Sequence, residues 1–145
     1  MRPSICPCTS LLFTGPVFAW FPPPCVISSA SATPTRLGRH GTALIPDPSA
    51  RWRLDLTRPE WRDSREPISD GCPCPACREH TRGYLHYLAR AGELTAKRLV
   101  TLHNLTFMKG LMDGIRAAIE AGELDAYAED VLSGAAPRGG YFALS

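Results

Sequence analysis

The amino-acid sequence predicts a mostly α-helical domain preceded by two short β-strands, and three observations lead to that fold class. Apolar residues recur at spacings of three and four over residues 93–121, which is the period of an amphipathic helix. Apolar and charged residues alternate over residues 52–56, which is the period of a half-buried strand. Three cysteines lie together between these two regions, which indicates a small domain held by a metal ion.

The first 32 residues differ in composition from the rest of the 145-residue chain. They contain one charged residue, Arg2, and six prolines. Arg2, an apolar run and the small residues 30–32 fit the scheme of a signal peptide, but Gly15 and Pro16 interrupt the apolar run. We therefore interpret residues 1–32 as an anomalous leader that is disordered or foreign to the domain.

Neither a membrane nor a nucleic acid is indicated by composition alone. No segment offers the roughly 18 consecutive apolar residues of a membrane-spanning helix. The formal net charge is +2, which permits a local basic patch but does not require one. We expect no association with a membrane.

Two strands are predicted ahead of the helices, over residues 42–45 and 52–56. The segment between them, residues 46–49, reads Pro-Asp-Pro-Ser and has the composition of a turn. Residues 57–71 are polar, contain two prolines and end in Asp-Gly, so they are predicted to form a loop.

Helices are predicted for most of the remaining chain. Pro75 suits the first turn of a helix, and Gly92 and Gly122 suit helix ends. The predicted helices cover residues 75–91 with an interruption near Thr81, residues 93–121, and residues 123–132. Residues 133–145 have several glycines and no periodicity, so we expect a flexible tail.

One apolar stripe on the long helix is interpreted as core packing. Its members share the i, i+3, i+4 spacing of a single helix face. They are Leu105, Met108, Met112, Ile115 and Ile119.

The three clustered cysteines, Cys72, Cys74 and Cys77, indicate a metal site. Free cysteines prefer isolated buried positions, so three within six residues are hard to explain by packing. Thiolates are the soft ligands that a tetrahedral zinc site uses. Pro73 and Pro75 stiffen the segment, so less conformational entropy is lost when the sulfurs converge.

A fourth ligand is needed, and the candidates downstream are His80, His86 and His103. His80 is so near Cys77 that all four groups could wrap one ion only in a cramped arrangement. His103 lies one helix later and could return antiparallel to the cysteines, so we favour it over His86. The spacing alone does not decide between them.

Two other uses of these cysteines were weighed against a metal site. Cys74 and Cys77 could form a redox-active Cys-x-x-Cys pair, but the strand-then-helix setting of that motif is absent. A small secreted protein could instead pair all six cysteines in disulfides. A site with three thiolates and one imidazole leaves no open position for substrate, so the zinc is expected to be structural.

The residues that follow the cysteines form a specific pattern. It comprises Thr81-Arg82-Gly83-Tyr84-Leu85-His86-Tyr87-Leu88, then Ala91-Gly92-Glu93, and then Thr101-Leu102-His103-Asn104. Together with the cysteines, this pattern closely resembles the zinc subdomain of bacterial tRNA-guanine transglycosylases, and the likeness continues to about Leu132. The resemblance implies that the zinc ligands are Cys72, Cys74, Cys77 and His103.

The resemblance also implies a fold for the whole chain. Members of that family are α/β proteins, (β/α)8 TIM barrels of several hundred residues. This chain would be the C-terminal remnant of such a barrel, carrying a mostly α-helical zinc-binding subdomain over residues 72–132. Residues 33–71 would contain the end of the barrel, an RNA-recognition loop and a short β-hairpin.

A basic segment upstream carries a second part of the resemblance. Residues 34–41 are similar to the family's Pro-Thr-Arg-x-x-Arg-x-Gly segment, which helps recognise the wobble base of the anticodon. Arginines reach phosphates and base edges, and glycine allows close approach of the backbone to RNA. The implied RNA-binding residues are Thr35, Arg36, Leu37, Gly38 and Arg39.

The sequence departs from the family at one catalytic position. The family has an aspartate nucleophile four residues before the proline of that segment, where this chain has Ala30. A methyl group cannot attack the ribose, so no catalytic residue is assigned. We expect residues 1–32 not to be family sequence, as in a truncated or frame-shifted product.

The resemblance implies a tRNA-guanine transglycosylase that exchanges guanine at the wobble position for a 7-deazaguanine in queuosine biosynthesis. It further implies a cytoplasmic homodimer that binds the anticodon loop of tRNA. This fragment is expected to be inactive. The alternative is a non-catalytic, zinc-stabilised module for RNA binding or dimerisation, with RNA contacts from Arg36, Arg39, Arg51 and Arg53.

Overall fold

The computed structural model describes residues 24–137, with side chains from residue 32 onward. The elements in chain order are α1 (Pro24–Arg39), β1 (Thr42–Leu44), β2 (Arg53–Asp55), a 3-10 turn (Pro59–Trp61), α2 (Pro75–Glu79), α3 (Arg82–Arg90), α4 (Leu94–Ala121) and α5 (Leu124–Ser133). Helix α4 is the scaffold, because the other four helices and β1 all pack against it.

The predicted hairpin is confirmed. Strands β1 and β2 pair antiparallel, with Ala43 opposite Leu54. The regular strands are shorter than predicted, although a backbone hydrogen bond from Ile45 to Trp52 continues the ladder by one step. The connecting turn is closed by Asp47, whose carboxylate accepts hydrogen bonds from Ser49. Because that hydroxyl stabilises the carboxylate, the pKa of Asp47 is lowered.

The predicted helices after the cysteines are also confirmed, including the interruption near Thr81. His80 and Thr81 both have extended backbone angles, and the Thr81 hydroxyl accepts a hydrogen bond from the backbone N–H of Tyr84 at 3.3 Å. Such a side-chain cap starts a new helix. Gly92 and Gly122 have φ values of 78° and 74°, the left-handed conformation that ends helices.

The loop expected around the basic segment is helical as far as Arg39, so that expectation was wrong. A proline inside a helix usually breaks it, but packing of α1 against α4 keeps this segment helical. Pro34 is fully buried, and its carbonyl accepts a hydrogen bond from the side chain of Asn104. Gly38 lies against the backbone of Thr101 so closely that a β-carbon there would stand 2.9 Å from it.

The stripe predicted to lie in the core is largely exposed, so that interpretation was wrong. Leu105 and Met112 are each 43% exposed and Ile119 is 59% exposed. The face of α4 that packs against the rest of the domain consists of Ala96, Leu99, Val100, His103, Asn104, Phe107, Gly110 and Ala118. Both faces of α4 have apolar residues at helical spacing. The face that is buried also contains the polar residues His103 and Asn104, so its pattern looks less apolar than that of the exposed face.

The core lies between the hairpin, the cysteine segment and α4. Its largest fully buried aliphatic side chains are Leu56, Ile68, Leu85 and Val100. Cys72 and Cys74 belong to the same cluster, so the cysteines are part of the hydrophobic core. No helix among the described residues is both long and apolar enough to cross a membrane.

The two terminal segments lie mostly outside the described residues. Of the expected leader, residues 24–32 form the first part of α1. Of the expected tail, Ser133 is the last residue of α5, and Gly134 follows it with a φ of 81°.

Replacing Phe107 and Ile119 separately with alanine tests which face of α4 is buried. Phe107 is 4% exposed, so Phe107→Ala should lower the free energy of unfolding by about 3–5 kcal/mol. Ile119→Ala should change it by less than about 0.5 kcal/mol, as for an exposed site. Urea denaturation of the zinc-loaded chain measures both. Equal losses in the two variants would contradict the assignment of the buried face.

Candidate metal centre

Three separate elements bring the candidate metal ligands together. Cys72 and Cys74 lie in the segment before α2, Cys77 lies on α2, and His103 lies on α4. Pro75 begins α2, and the backbone N–H of Cys77 donates to the Cys74 carbonyl at 3.1 Å. That first helical turn places Cys74 and Cys77 on one side, facing α4. The four ligand atoms all lie within 4.8 Å of one another.

The distances within this cluster fit a tetrahedral zinc ion. The Nδ1 atom of His103 lies 3.7 Å from the sulfur of Cys72, 3.5 Å from that of Cys74 and 3.3 Å from that of Cys77. With Zn–S near 2.3 Å and Zn–N near 2.0–2.1 Å, a tetrahedral angle separates sulfur from nitrogen by about 3.6 Å. The distances from the imidazole nitrogen to the three sulfurs therefore match those of one tetrahedral zinc ion.

A backbone carbonyl orients the histidine. The Nε2 atom of His103 donates a hydrogen bond to the carbonyl oxygen of Leu44 at 2.8 Å. That bond keeps a proton on Nε2, so Nδ1, which faces the sulfurs, is the nitrogen that would bind a metal ion. Metal-binding histidines commonly use such a partner to fix the tautomer and the ring orientation.

Without metal, the cluster shares protons among its members. Hydrogen bonds from Cys72 and Cys77 stabilise the thiolate of Cys74 and lower its pKa, whereas the same sharing raises the pKa of Cys77. Burial opposes a charged His103, but hydrogen bonds to Cys72 and Cys74 outweigh it and raise the pKa of His103 to about 9. A bound cation would replace these protons, because metal ligands must be deprotonated.

The other candidate histidines lie outside the cluster. The Nδ1 atom of His86 hydrogen-bonds to the carbonyl of Leu56 at 2.8 Å, and the ring of His80 packs beside Tyr84 with centroids 5.1 Å apart. The structure thus brings His103 to the cysteines, as the resemblance implied.

Cys72, Cys74 and Cys77 are free thiols, which does not fit the all-disulfide interpretation.

The basic segment lies at the C-terminal end of α1. Arg36 and Arg39 are three residues apart on the helix and both are exposed. Leu37 is half-buried, Gly38 is buried against α4, and the Thr35 hydroxyl donates to a backbone carbonyl of its own helix. Ala30 also lies on α1.

Comparison with known proteins identifies the family. The family model described as queuine tRNA-ribosyltransferase matches residues 28–136, which is about three quarters of the chain. The chain belongs to the queuine tRNA-ribosyltransferase family. The match begins at residue 28, so it overlaps the last five residues of the segment that was expected to be foreign to the family.

Curated relatives support the same membership. The chain is 48% identical over 90 residues to a queuine tRNA-ribosyltransferase of Roseiflexus sp. (strain RS-1), covering 62% of this chain and 22% of the relative. A queuine tRNA-ribosyltransferase of Synechococcus sp. (strain CC9311) is 46% identical over 89 residues, covering 61% and 23%. The chain therefore spans about a quarter of the length of the curated relatives that it matches.

Alanine at His103 and at His86 distinguishes a ligand from a buried histidine. The chain should bind one zinc ion per molecule, and His103→Ala should lower the affinity for zinc by at least about tenfold, since an imidazole ligand is removed. His86→Ala should retain one zinc ion, although it loses a buried hydrogen bond. Metal analysis after dialysis against a weak chelator measures both. Loss of zinc from His86→Ala alone would contradict the assignment.

Zinc binding should release protons. At neutral pH a metal-free His103 with a pKa of about 9 carries its proton, which the metal must displace together with thiol protons. The apparent affinity should therefore fall as the pH is lowered from about 8 to about 6, by about tenfold per pH unit for each proton displaced. Competition titration with a chromophoric chelator measures the slope. An affinity independent of pH would contradict this proton balance.

Proposed function

We propose that this chain is the C-terminal part of a tRNA-guanine transglycosylase, which exchanges guanine at the wobble position of tRNA for a 7-deazaguanine base in queuosine biosynthesis. The observation that carries the proposal is the family match over residues 28–136, which includes both the metal cluster and the basic end of α1. The residues before β1 would be the last part of a (β/α)8 barrel. They would contact the anticodon loop of the tRNA substrate.

The proposed zinc ligands are Cys72, Cys74, Cys77 and His103. When bound, zinc would supply only structural cross-linking, since four protein ligands fill a tetrahedral shell. The sulfurs hold the short helix α2 against α4, and His103 connects the same point to β1 through Leu44. This arrangement supports a role in shaping the RNA-facing surface rather than in the chemistry of base exchange.

The proposed RNA contacts come from the segment of Thr35, Arg36, Leu37, Gly38 and Arg39. Arg36 and Arg39 are exposed, and guanidinium groups bind phosphates and base edges bidentately. Gly38 is instead buried against Thr101 of α4 and Leu37 is half-buried, so we propose that these two residues hold the segment in place while the two arginines contact RNA.

We further propose that the complete protein is a cytoplasmic homodimer. Exposed apolar side chains on α3 and α4, such as Tyr87 at 66% and Ile119 at 59%, support an additional packing surface. Either a second subunit or the barrel of the same protein would cover them.

The chain alone should not catalyse base exchange, because Ala30 stands at the nucleophile position. A methyl group supplies neither a nucleophile nor a base, so the covalent step has no acceptor on this chain. The same substitution favours the second candidate, a non-catalytic module that binds RNA or a partner subunit. The candidate ligands and the core cluster around them lie between Ala43 and His103, so such a module would need no nucleophile in order to fold.

A base-exchange assay and an RNA-binding assay separate these functions. Labelled guanine should not enter tRNA above background with this chain. An anticodon stem-loop RNA should nevertheless bind, and Arg36→Ala and Arg39→Ala should each weaken it by about 1–3 kcal/mol and reduce the salt dependence. Arg116→Ala, which removes the same charge near the far end of α4, is the matched control. Measurable turnover would overturn the non-catalytic account, and equal weakening by all three variants would overturn the proposed RNA contacts.

A further inference from the structure

Asn104 is completely buried, although it is polar and lies outside the candidate ligand set. Its side-chain oxygen accepts a hydrogen bond from the backbone N–H of Leu44 at 2.8 Å. Its side-chain nitrogen donates to the carbonyl of Thr42 at 3.0 Å and to that of Pro34 at 3.1 Å. The amide therefore joins β1 to α1.

These bonds complete the free edge of the sheet. Gly41 and Ile45 direct their backbone groups at β2, so Thr42 and Leu44 direct theirs to the opposite side, where no third strand lies among the described residues. The Asn104 amide takes the place of a peptide group there, since it accepts from Leu44 and donates to Thr42. A buried strand edge without such partners would carry a large desolvation cost.

The residue before Asn104 holds the same strand and also faces the sulfurs. The carbonyl of Leu44 accepts from His103 and its N–H donates to Asn104, so consecutive residues of α4 hold both polar groups of one strand residue. The opposite ring nitrogen of His103 points at the three thiols. Fixing that ring with a metal therefore fixes the position of Leu44, and with it the strand that Asn104 holds.

We propose that Asn104 is a positioning residue that couples zinc binding to the order of the C-terminal end of α1, which carries Arg36 and Arg39. With zinc bound, His103 is held rigidly, β1 is fixed at Leu44, and the Asn104 amide is aligned with the carbonyl of Pro34. Without zinc, hydrogen bonds to the thiols and to Leu44 are all that hold the ring, so the chain of hydrogen bonds loosens. The coupling depends on contacts within this chain, and only its consequence for RNA rests on the proposed function.

Hydrogen exchange of the full chain measures the coupling directly, because exchange reports local opening. The experiment compares the protein with one equivalent of Zn²⁺ and after removal of the metal by a chelator. Amides of residues 35–41 should exchange at least about tenfold faster without metal. Amides of residues 111–121, at the other end of α4, serve as the internal reference and should change less than about twofold. No change in residues 35–41, or an equal change in both regions, would overturn the proposal.

Asn104→Ala should break the coupling and keep the metal. The four candidate ligands remain, so the variant should still bind one Co²⁺ with the spectrum of a tetrahedral thiolate site. Residues 35–41 should already exchange rapidly with metal bound, and chelation should add less than about threefold. Val100→Ala leaves a cavity in the core one turn earlier on the same face of α4. In this control variant the exchange of residues 35–41 should keep its full dependence on metal. A tenfold metal dependence in Asn104→Ala would overturn the proposal. If that variant loses its metal, the proposal is decided by the wild-type chain, through the effect of zinc removal on the exchange of residues 35–41 compared with residues 111–121.

Binding of an anticodon stem-loop RNA distinguishes failure of this coupling from failure of the proposed function. If both hold, removal of zinc should weaken RNA binding by the wild-type chain at least about fivefold, and Asn104→Ala should bind RNA weakly even with zinc. Metal-dependent exchange without any RNA binding would retain the coupling and overturn the RNA function. RNA binding that is strong with or without zinc would overturn the role of the coupling in presenting Arg36 and Arg39.

Discussion

Convergence of three sulfurs and one imidazole nitrogen on a single point is the constraint on which the rest of this fold depends. Helix α2 has five residues, far fewer than an isolated helix needs to be stable in water. The sheet has two strands, which is marginal without further packing. Both elements contact the same cluster, so the free energy of metal binding becomes folding free energy for parts that could not persist separately.

The constraint extends beyond the ligands because side chains of α4 hydrogen-bond to the free edge of β1. His103 and Asn104 are consecutive, and their side chains satisfy the backbone groups that β1 leaves unpaired. The same amide reaches α1 at Pro34. The metal cluster, the sheet and the basic helix end therefore form one connected polar network inside an otherwise apolar core. Such a network specifies one arrangement, since any shift leaves a buried group unpaired.

The fold was predictable from the sequence where local chemistry decides it. Helix boundaries follow from Thr81, Gly92 and Gly122, and the hairpin follows from its alternating pattern. The buried face of α4 was not predictable in this way, because a helix with two apolar faces satisfies the helical period on both. The helical end of α1 was missed because Pro34 has the local signature of a break, while burial against α4, a tertiary effect, keeps it helical.

The residues of the candidate site likewise fall into those that local sequence predicts and those that depend on tertiary contacts. Thiol density alone predicted a metal at Cys72, Cys74 and Cys77, because soft ligands at that spacing have few other uses. Spacing left the fourth ligand open, and the family resemblance and then the distances brought His103 to the sulfurs. Asn104 is part of the family pattern, but neither its residue type nor its spacing predicts that it is buried. Its role depends on a strand edge about sixty residues earlier in the chain.

X-ray absorption at the zinc edge tests the central claim most directly, because it reports the atoms bound to the metal. The zinc-loaded chain should show three sulfurs near 2.3 Å and one nitrogen near 2.0–2.1 Å. The same measurement on His103→Ala should show that the nitrogen has been lost or replaced by a water oxygen, while the sulfurs remain. A wild-type spectrum with two or fewer sulfurs, or with a nitrogen that persists in His103→Ala, would contradict the assignment of this cluster as the metal centre.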